Sequence, residues 1–209
     1  MVKIFEVRPN APMVDVITEA ASTIRAGGLV VYPTETVYGL GADAFSSKAV
    51  AKIFRIKGRK AEKPIPLAVN SIDMARQVAE LTPAAEVLFK KFLPGPLMII
   101  VRARPNVSKL ITAGTGKVGI RVPDHPVALK LIDFVGGPIT STSANLSGEP
   151  APLTVREALE QLGGKVDVAL DAGKCRLGVP SVVVDTTARH LKIIRKGPIS
   201  EEKIKKLLT

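Results

Sequence analysis

Short aliphatic runs alternating with capped amphipathic stretches constrain the fold of this chain more than any other feature. Leu29–Tyr32, Leu97–Val101, Lys117–Val122 and Pro138–Thr140 are too short and too apolar for surface helices, and Gly, Pro or polar residues bound them. Each reads as a buried strand. Between them the helix signals recur. Pro12–Ala26 carries apolar residues at Val14, Ile17, Ala21 and Ile24, with Asn10 as a cap and Gly27-Gly28 as a stop. Ser46 or Ser47 caps a second helix with Ala49, Val50, Ile53, Phe54 and Ile56 on one face, ending at Lys57-Gly58-Arg59. Residues 3–8 suit an edge strand, Pro64–Val69 a further strand and Ser71–Glu80 a helix. Thr82-Pro83 opens a helix that ends near Phe92 before the Pro94-Gly95-Pro96 turn. Asp124 is expected to cap a helix over 126–135, and Thr154 one that runs to Leu162. Val166–Leu170, Ser181–Asp185 and His190–Arg195 read as strands, with hairpins gathered here, and Ser200 opens a last helix. The pattern predicts an α/β fold with a mixed sheet covered by helices, and 209 residues suit one domain, 1–209.

Composition narrows the function. Hydrophobic residues make up 46% of the chain, enough for a core, but aromatics are 4% and Trp is absent, so broad stacking platforms for bases are not expected. No apolar run approaches the roughly 20 residues of a membrane span, and the N-terminus lacks a signal peptide's apolar segment. A soluble, cytoplasmic protein with no membrane partner is expected. The single cysteine, Cys175, excludes an internal disulfide and a cysteine-based zinc site. The two histidines, His125 and His190, sit at a helix start and a strand start and read as structural, which leaves Cys175 an inert loop residue. The net charge of +11 suits polyanions such as nucleotides or RNA, or equally a solvated surface. Its spread along the chain favours a groove over a disordered basic arm.

Candidate chemistry gathers at strand ends. The stretch Leu29–Ala44 runs from an apolar strand through Pro33 into Thr34-Glu35-Thr36, then Gly39 and Gly41. Such a segment places hydroxyls and a carboxylate at the mouth of an α/β cleft, although an ordinary strand–turn accounts for it as well. Arg121 ends an apolar strand, so its guanidinium is expected to be partly buried and to need an anion, either a structural carboxylate or a ligand. Ser141, Thr142, Ser143 and Asn145 form a second polar mouth before Gly148, or a turn that bonds its own backbone. Lys57 and Arg59 suit a triphosphate, or offset a helix dipole. Ser181 and Arg195 bracket the last strands and could close the cleft. Neither G-x-x-x-x-G-K-[ST] nor G-x-G-x-x-G is present, and no His/Cys/Asp/Glu group has metal-ligand spacing.

Six ordered motifs together resemble the YrdC-type threonylcarbamoyl-adenylate synthases. They are Pro33-Thr34-Glu35-Thr36-Val37-Tyr38-Gly39-Leu40, Lys57-Gly58-Arg59, Pro94-Gly95-Pro96-Leu97, Val118 to Pro126, Ser143-Ala144-Asn145-Leu146-Ser147-Gly148, and Pro180 to Asp185 followed by Ile194-Arg195. The resemblance runs from Gly27 to about Pro198 and implies a twisted mixed sheet around a deep basic cleft. It implies formation of threonylcarbamoyl-AMP and pyrophosphate from L-threonine, bicarbonate and ATP with Mg²⁺, for threonylcarbamoyladenosine in tRNA. By the family pattern Lys57, Arg59, Ser143 and Asn145 are catalytic. Thr34, Arg121, Ser141 and Ser181 would hold threonine, and Lys57, Arg59, Lys117, Ser143 and Arg195 the ATP, with Mg²⁺ carried by ATP rather than by protein ligands. Downstream threonylcarbamoyl-transfer proteins and tRNA or double-stranded RNA follow as implied partners. Three positions depart from that pattern: Lys60 replaces a proline after Lys-x-Arg, Pro64–Asn70 lacks a histidine, and Ala151 stands where relatives have a serine. The ending at Thr209 suits the short, single-domain form.

A reading from another class is a non-catalytic module that uses its basic surface on structured RNA. The charge supports it, and the scarcity of aromatics points to phosphate and shape readout with steep salt dependence.

Overall fold

The computed structural model describes residues 1–9, 13–188 and 190–207. The first half runs β1 (Lys3–Glu6), α1 (Val14–Arg25), β2 (Val30–Tyr32), β3 (Gly39–Gly41), α2 (Ser47–Lys57), β4 (Leu67–Ala68), α3 (Ile72–Val78), β5 (Ala79–Glu80), α4 (Pro83–Phe92) and β6 (Leu97–Ala103). The second half runs α5 (Lys109–Thr112), β7 (Lys117–Arg121), α6 (Pro126–Val135), β8 (Ile139–Thr140), β9 (Thr142–Ser143), α7 (Val155–Leu162), β10 (Val168–Asp171), β11 (Val182–Asp185), β12 (Lys192–Arg195) and α8 (Glu201–Lys206). The mixed α/β class stands, but the strands form two sheets rather than one. A five-stranded sheet has the order β1-β10-β2-β3-β9; a seven-stranded one has the order β12-β11-β6-β7-β4-β8, with β5 on β6. Parallel and antiparallel pairs occur in both.

The sheets meet where β8 passes into β9. Ile139–Thr140 pairs with β4 of the larger sheet, and after the single residue Ser141 the chain pairs with β3 of the smaller one. The Thr140 hydroxyl pins the crossing by donating to the Leu40 carbonyl at 2.8 Å and accepting from the Ala42 amide at 3.0 Å. A side chain at this junction belongs to both sheets at once, which is why the polar residues around it define a cleft.

Aliphatic packing on the two faces of the smaller sheet holds the layers together. Ile17 and Ile24 of α1 and Leu131 of α6 pack with Val30, Tyr32, Val168 and Leu170. On the other face Leu29, Val31 and Leu40 join Ile53 of α2, Leu88 of α4, Leu162 of α7 and the inward residues Leu97, Ile99 and Val101 of β6. Burying each such side chain is worth about 1.5–3 kcal/mol. Side-chain caps at Ser46, Ser71, Thr82, Thr154 and Ser200 begin α2, α3, α4, α7 and α8, at about 1 kcal/mol each.

Several expected boundaries shift for identifiable reasons. Asn10 and Pro12 lie outside the described residues, and α1 begins at Val14 with no side-chain cap. Asp124 does not cap α6: His125 occupies that position without capping, and the Asp124 carboxylate accepts instead from Arg176 at 2.7 Å. The Ser71–Glu80 helix stops at Val78, because Ala79 and Glu80 pair with Ala103 and Arg102 of β6. Only Leu67–Ala68 of the Pro64–Val69 segment is strand, and His190 precedes β12. Of the late strands only β11 and β12 form a hairpin; β10 lies in the other sheet, parallel to β1 and β2. Among the described residues no helix is long and apolar enough to cross a membrane.

Candidate active site

Gly39 and Gly41 serve a purpose the sequence did not disclose. Tyr32 lies flat across both, so that a Cβ on Gly39 would stand 2.7 Å from its Cζ and one on Gly41 3.2 Å from its Cδ1. The absence of two side chains lets a wholly buried aromatic ring fit within the sheet. Its hydroxyl donates to the Thr140 carbonyl at 3.2 Å. Burial pushes the phenol pKa up, while a hydrogen bond with Ser141 and the Arg121 charge pull it down. Tyr32 therefore fixes the floor beneath the sheet junction.

Above that floor lies a cavity of ≈ 250 Å³ lined by Thr34, Thr36, Arg59, Arg121, Ser141, Ser143, Ser181 and Arg195, with apolar walls from Val37, Pro66, Met98 and Ala151. The turn after β2 forms one side. Its pin is the Thr34 hydroxyl, which donates to the Val37 carbonyl at 2.6 Å and accepts from the Thr36 and Val37 amides, both at 3.2 Å. Ser141 enters from the sheet crossing, its own amide held by the Pro66 carbonyl at 2.7 Å.

Arg121 ends β7 with 5% of its surface exposed. Of the two anions open to it from sequence, the structural carboxylate is present: Nη2 donates to Glu35 Oε1 at 2.7 Å, and Nη1 to Thr36 Oγ1 at 3.2 Å. Its Nε is buried and has no partner, and so is Ser181 Oγ, at the start of β11. Buried polar groups without partners are rare in native proteins; of the four among the described residues these two line the cavity, while His125 Nδ1 and Ser147 Oγ lie outside it. Arg195 reaches across from β12, its Nε on the Ser181 carbonyl at 3.0 Å. Burial, then the nearby Arg121 charge, lowers its pKa. Arg59 completes the wall and is braced by the Lys63 and Pro64 carbonyls at 3.2 and 2.7 Å. Burial lowers its pKa as well. Because Arg59 and Arg195 are held by neutral carbonyls rather than carboxylates, both offer full positive charge to an anion.

Two expected contact residues stand one layer behind. Lys57, 2% exposed, does not line the cavity; its ammonium donates to the Ser143 and Asn145 carbonyls and to Asn145 Oδ1. Asn145 Nδ2 is spent on the Leu146 and Glu149 carbonyls at 2.9 and 2.7 Å. The Ser147 amide returns to the Lys57 carbonyl at 2.8 Å. Lys57 and Asn145 thus shape the Ser143–Gly148 turn and deliver Ser143 to the cavity. Burial and the Arg59 charge bring the Lys57 pKa down to about 7, against the pull of three acceptors that suit an ammonium.

Lys117 is not brought to the cavity. It sits at the far end of β7, four residues or about 13 Å from Arg121, and pairs with Asp185 at 3.0 Å. Among the described residues no group of three or more His, Cys, Asp and Glu side chains could hold a metal ion. The residues that sequence reasoning left without a role are Glu35, Thr36 and Tyr32. Glu35 carried a signal, a carboxylate three residues beyond a buried strand, in a chain with an arginine that had to be paired.

A strand-crossing cleft between two mixed sheets, lined by arginines and hydroxyls, places the chain among α/β proteins with a cationic, hydroxyl-rich cavity that suits an anion. Comparison makes the class specific. The Sua5_yciO_yrdC family model, described as "Telomere recombination", matches residues 22–197. The chain belongs to the Sua5/YciO/YrdC family. The threonylcarbamoyl-AMP synthase of Pyrococcus abyssi is 41% identical over 190 residues, covering 90% of this chain and 56% of that protein. A putative threonylcarbamoyl-AMP synthase of Mycobacterium tuberculosis is 40% identical over 193 residues, covering 92% of this chain and 88% of that protein. The crystal structure of P. abyssi Sua5 complexed with L-threonine superimposes with a TM-score of 0.94 at 40% identity, covering 98% of this chain and 60% of that one. The chain therefore spans little more than half of the Pyrococcus protein and most of the mycobacterial one.

Proposed function

We propose that this chain is a threonylcarbamoyl-AMP synthase: L-threonine, bicarbonate and ATP give threonylcarbamoyl-AMP and pyrophosphate, with residues 1–209 as the catalytic unit. The observation that carries the reading is one cavity holding two buried donors without partners, Arg121 Nε and Ser181 Oγ, beside two cations free of carboxylates, Arg59 and Arg195. A relative with nearly the same fold is known in complex with L-threonine. Arg121, Ser141 and Ser181 take the amino acid, and Thr34 shapes the turn that confines it. Arg59, Arg195 and Ser143 take the triphosphate, with Lys57 and Asn145 holding Ser143 in place.

The chemistry needs little acid–base machinery. The neutral threonine amine adds to CO₂ drawn from bicarbonate and gives up a proton, leaving a carbamate. A carbamate oxygen then attacks the α-phosphorus, and the bond from that phosphorus to the bridging oxygen of pyrophosphate breaks. Nucleophile and target are both anionic, so the cavity contributes by positioning them and by offsetting charge that accumulates on the phosphates. Mg²⁺ enters as the ATP counter-ion. The cavity suits an amino acid, and the nucleotide extends through its mouth.

Work in the cytoplasm, and transfer of the product to tRNA by downstream proteins, complete the proposal. The RNA-binding reading has weaker support, since hydroxyls and arginines converge on one small cavity rather than along an extended groove. The test is pyrophosphate release with each component withheld in turn. Release that requires ATP, bicarbonate and threonine together supports the function; release indifferent to threonine overturns it.

A further inference from the structure

We infer that Glu35 is a positioning residue that turns one particular edge of the Arg121 guanidinium toward the substrate carboxylate. The inference rests on the function proposed above and concerns how that site reads an amino acid.

A guanidinium has two edges with paired N–H bonds: the Nη1/Nη2 end and the Nε/Nη2 side. In this structure the end is taken, with Nη2 on Glu35 Oε1 at 2.7 Å and Nη1 on Thr36 Oγ1 at 3.2 Å. The side edge is not, because Nε is buried without a partner. Glu35 is in no position to let go. Only 1% exposed, it also accepts the Asp124 amide on Oε2 at 3.1 Å, and its own carbonyl accepts the Leu177 amide at 2.8 Å. The Asp124 amide thus holds the carboxylate and the Leu177 amide the backbone of the residue that clamps the arginine. A free Arg121 could present either edge, or pivot as it bound; the clamped one keeps a single unspent pair, Nε and the second hydrogen of Nη2, with one lone Nη1 hydrogen on the side of its own stem.

The pairing also sets what the subsite selects. Glu35 offsets the Arg121 charge, so a ligand there is held by the planar, two-point fit of a carboxylate rather than by net attraction. Arg59 and Arg195, braced only by carbonyls, keep uncompensated charge for phosphate. One cavity thus separates an amino-acid carboxylate from polyphosphate by whether its arginine is already paired.

The experiment has two arms. In the wild-type protein, the Arg121 Nε–Hε cross-peak in a ¹H–¹⁵N spectrum, assigned by its loss in Arg121→Lys, should move saturably as L-threonine is added. In Glu35→Gln, which keeps shape and removes charge, the threonine KM and Kd should rise on the order of tenfold while kcat and the ATP KM stay within about twofold. Glu35→Asp, too short to reach Arg121 and the Asp124 amide together, should fall between the two. A signal that stays fixed while threonine binds overturns the inference, and so does a Gln variant with a wild-type threonine KM. If Glu35→Gln fails to fold, the wild-type titration decides alone. Wild-type protein that neither binds threonine nor releases pyrophosphate refutes the proposed function instead.

Discussion

Replacing Lys57 by Met tests whether the lysine of the Lys-x-Arg motif touches substrate or supports the residues that do. Methionine keeps the length and apolar stem but has no N–H. Three buried acceptors, the carbonyls of Ser143 and Asn145 and Asn145 Oδ1, then lose their donor. Each buried acceptor left bare costs about 1–3 kcal/mol, and part returns because no amine remains to be desolvated. A net loss of about 3 kcal/mol at pH 8 follows, or about 6–12 °C in Tm for a domain of this size. Ser143 should drift from register, with turnover falling on the order of 100-fold. The pH dependence adds a second check. Burial holds the Lys57 pKa down at about 7 against 10.5 for a free lysine. Between those values the unfolded chain binds the extra proton, so stability from this group is complete above the upper value and lost as pH falls through the lower. The gap between wild type and variant should therefore narrow from pH 9 to pH 6, by at most about 1.4 kcal/mol per unit. Urea titrations at several pH values, run beside pyrophosphate release, measure both quantities. A variant as stable as wild type that has lost only ATP affinity would refute this account and place the ammonium on the phosphates.

Gly39→Ala should cost about 2–3 kcal/mol in urea midpoint, because its Cβ would stand 2.7 Å from a Tyr32 ring with no exposed surface to move into. An unchanged midpoint would show that the ring has room after all. Cys175 has its thiol pKa raised to about 11, mainly by burial and then by the nearby Glu35 carboxylate. Iodoacetamide at pH 8.5 should thus modify the native chain far more slowly than the urea-unfolded one, whose free thiol is about half ionised there. Equal rates, read by mass spectrometry, would contradict the burial.

How much of this was legible in sequence depended on whether the cause was local. Caps at Ser46, Thr82 and Thr154, and the apolar runs of β2, β6 and β7, are written within a few residues and were found where they are. What failed is set by distant partners. Gly39–Gly41 looked like a turn because the reason for two glycines is Tyr32 on the neighbouring strand. Ala79 and Glu80 continue a helical pattern until β6 claims their backbones. The split into two sheets turns on Ser141 and on the Thr140 hydroxyl bridging to Leu40 and Ala42, about a hundred residues away in the chain. The same limit governed the site. That a buried Arg121 must meet an anion followed from burial alone; that Glu35 is that anion, and which edge it takes, did not. Lys117, expected at the ATP, stands at the other end of β7 from Arg121, outside the cavity lining, and pairs with Asp185.

The layering of the cavity explains why a motif of four residues need not be four contacts. Lys57 spends its N–H donors on the turn that carries Ser143 and Asn145. Asn145 spends its amide on the same turn, and Thr34 its hydroxyl on the opposite one. What remains unspent is Arg121 Nε, Ser181 Oγ, and the charge of Arg59 and Arg195, the groups proposed to meet the ligand. Supporting groups must be fully satisfied, since an unpaired one would compete for the ligand or let the turn move, whereas contacting groups must be left partly unsatisfied until substrate arrives. Loss of activity cannot tell these two kinds of residue apart, because each is required. Stability can: removing a supporting group strands its acceptors and lowers Tm, while removing Ser181 Oγ takes away a buried donor that has no partner and should leave the empty protein as stable or more so.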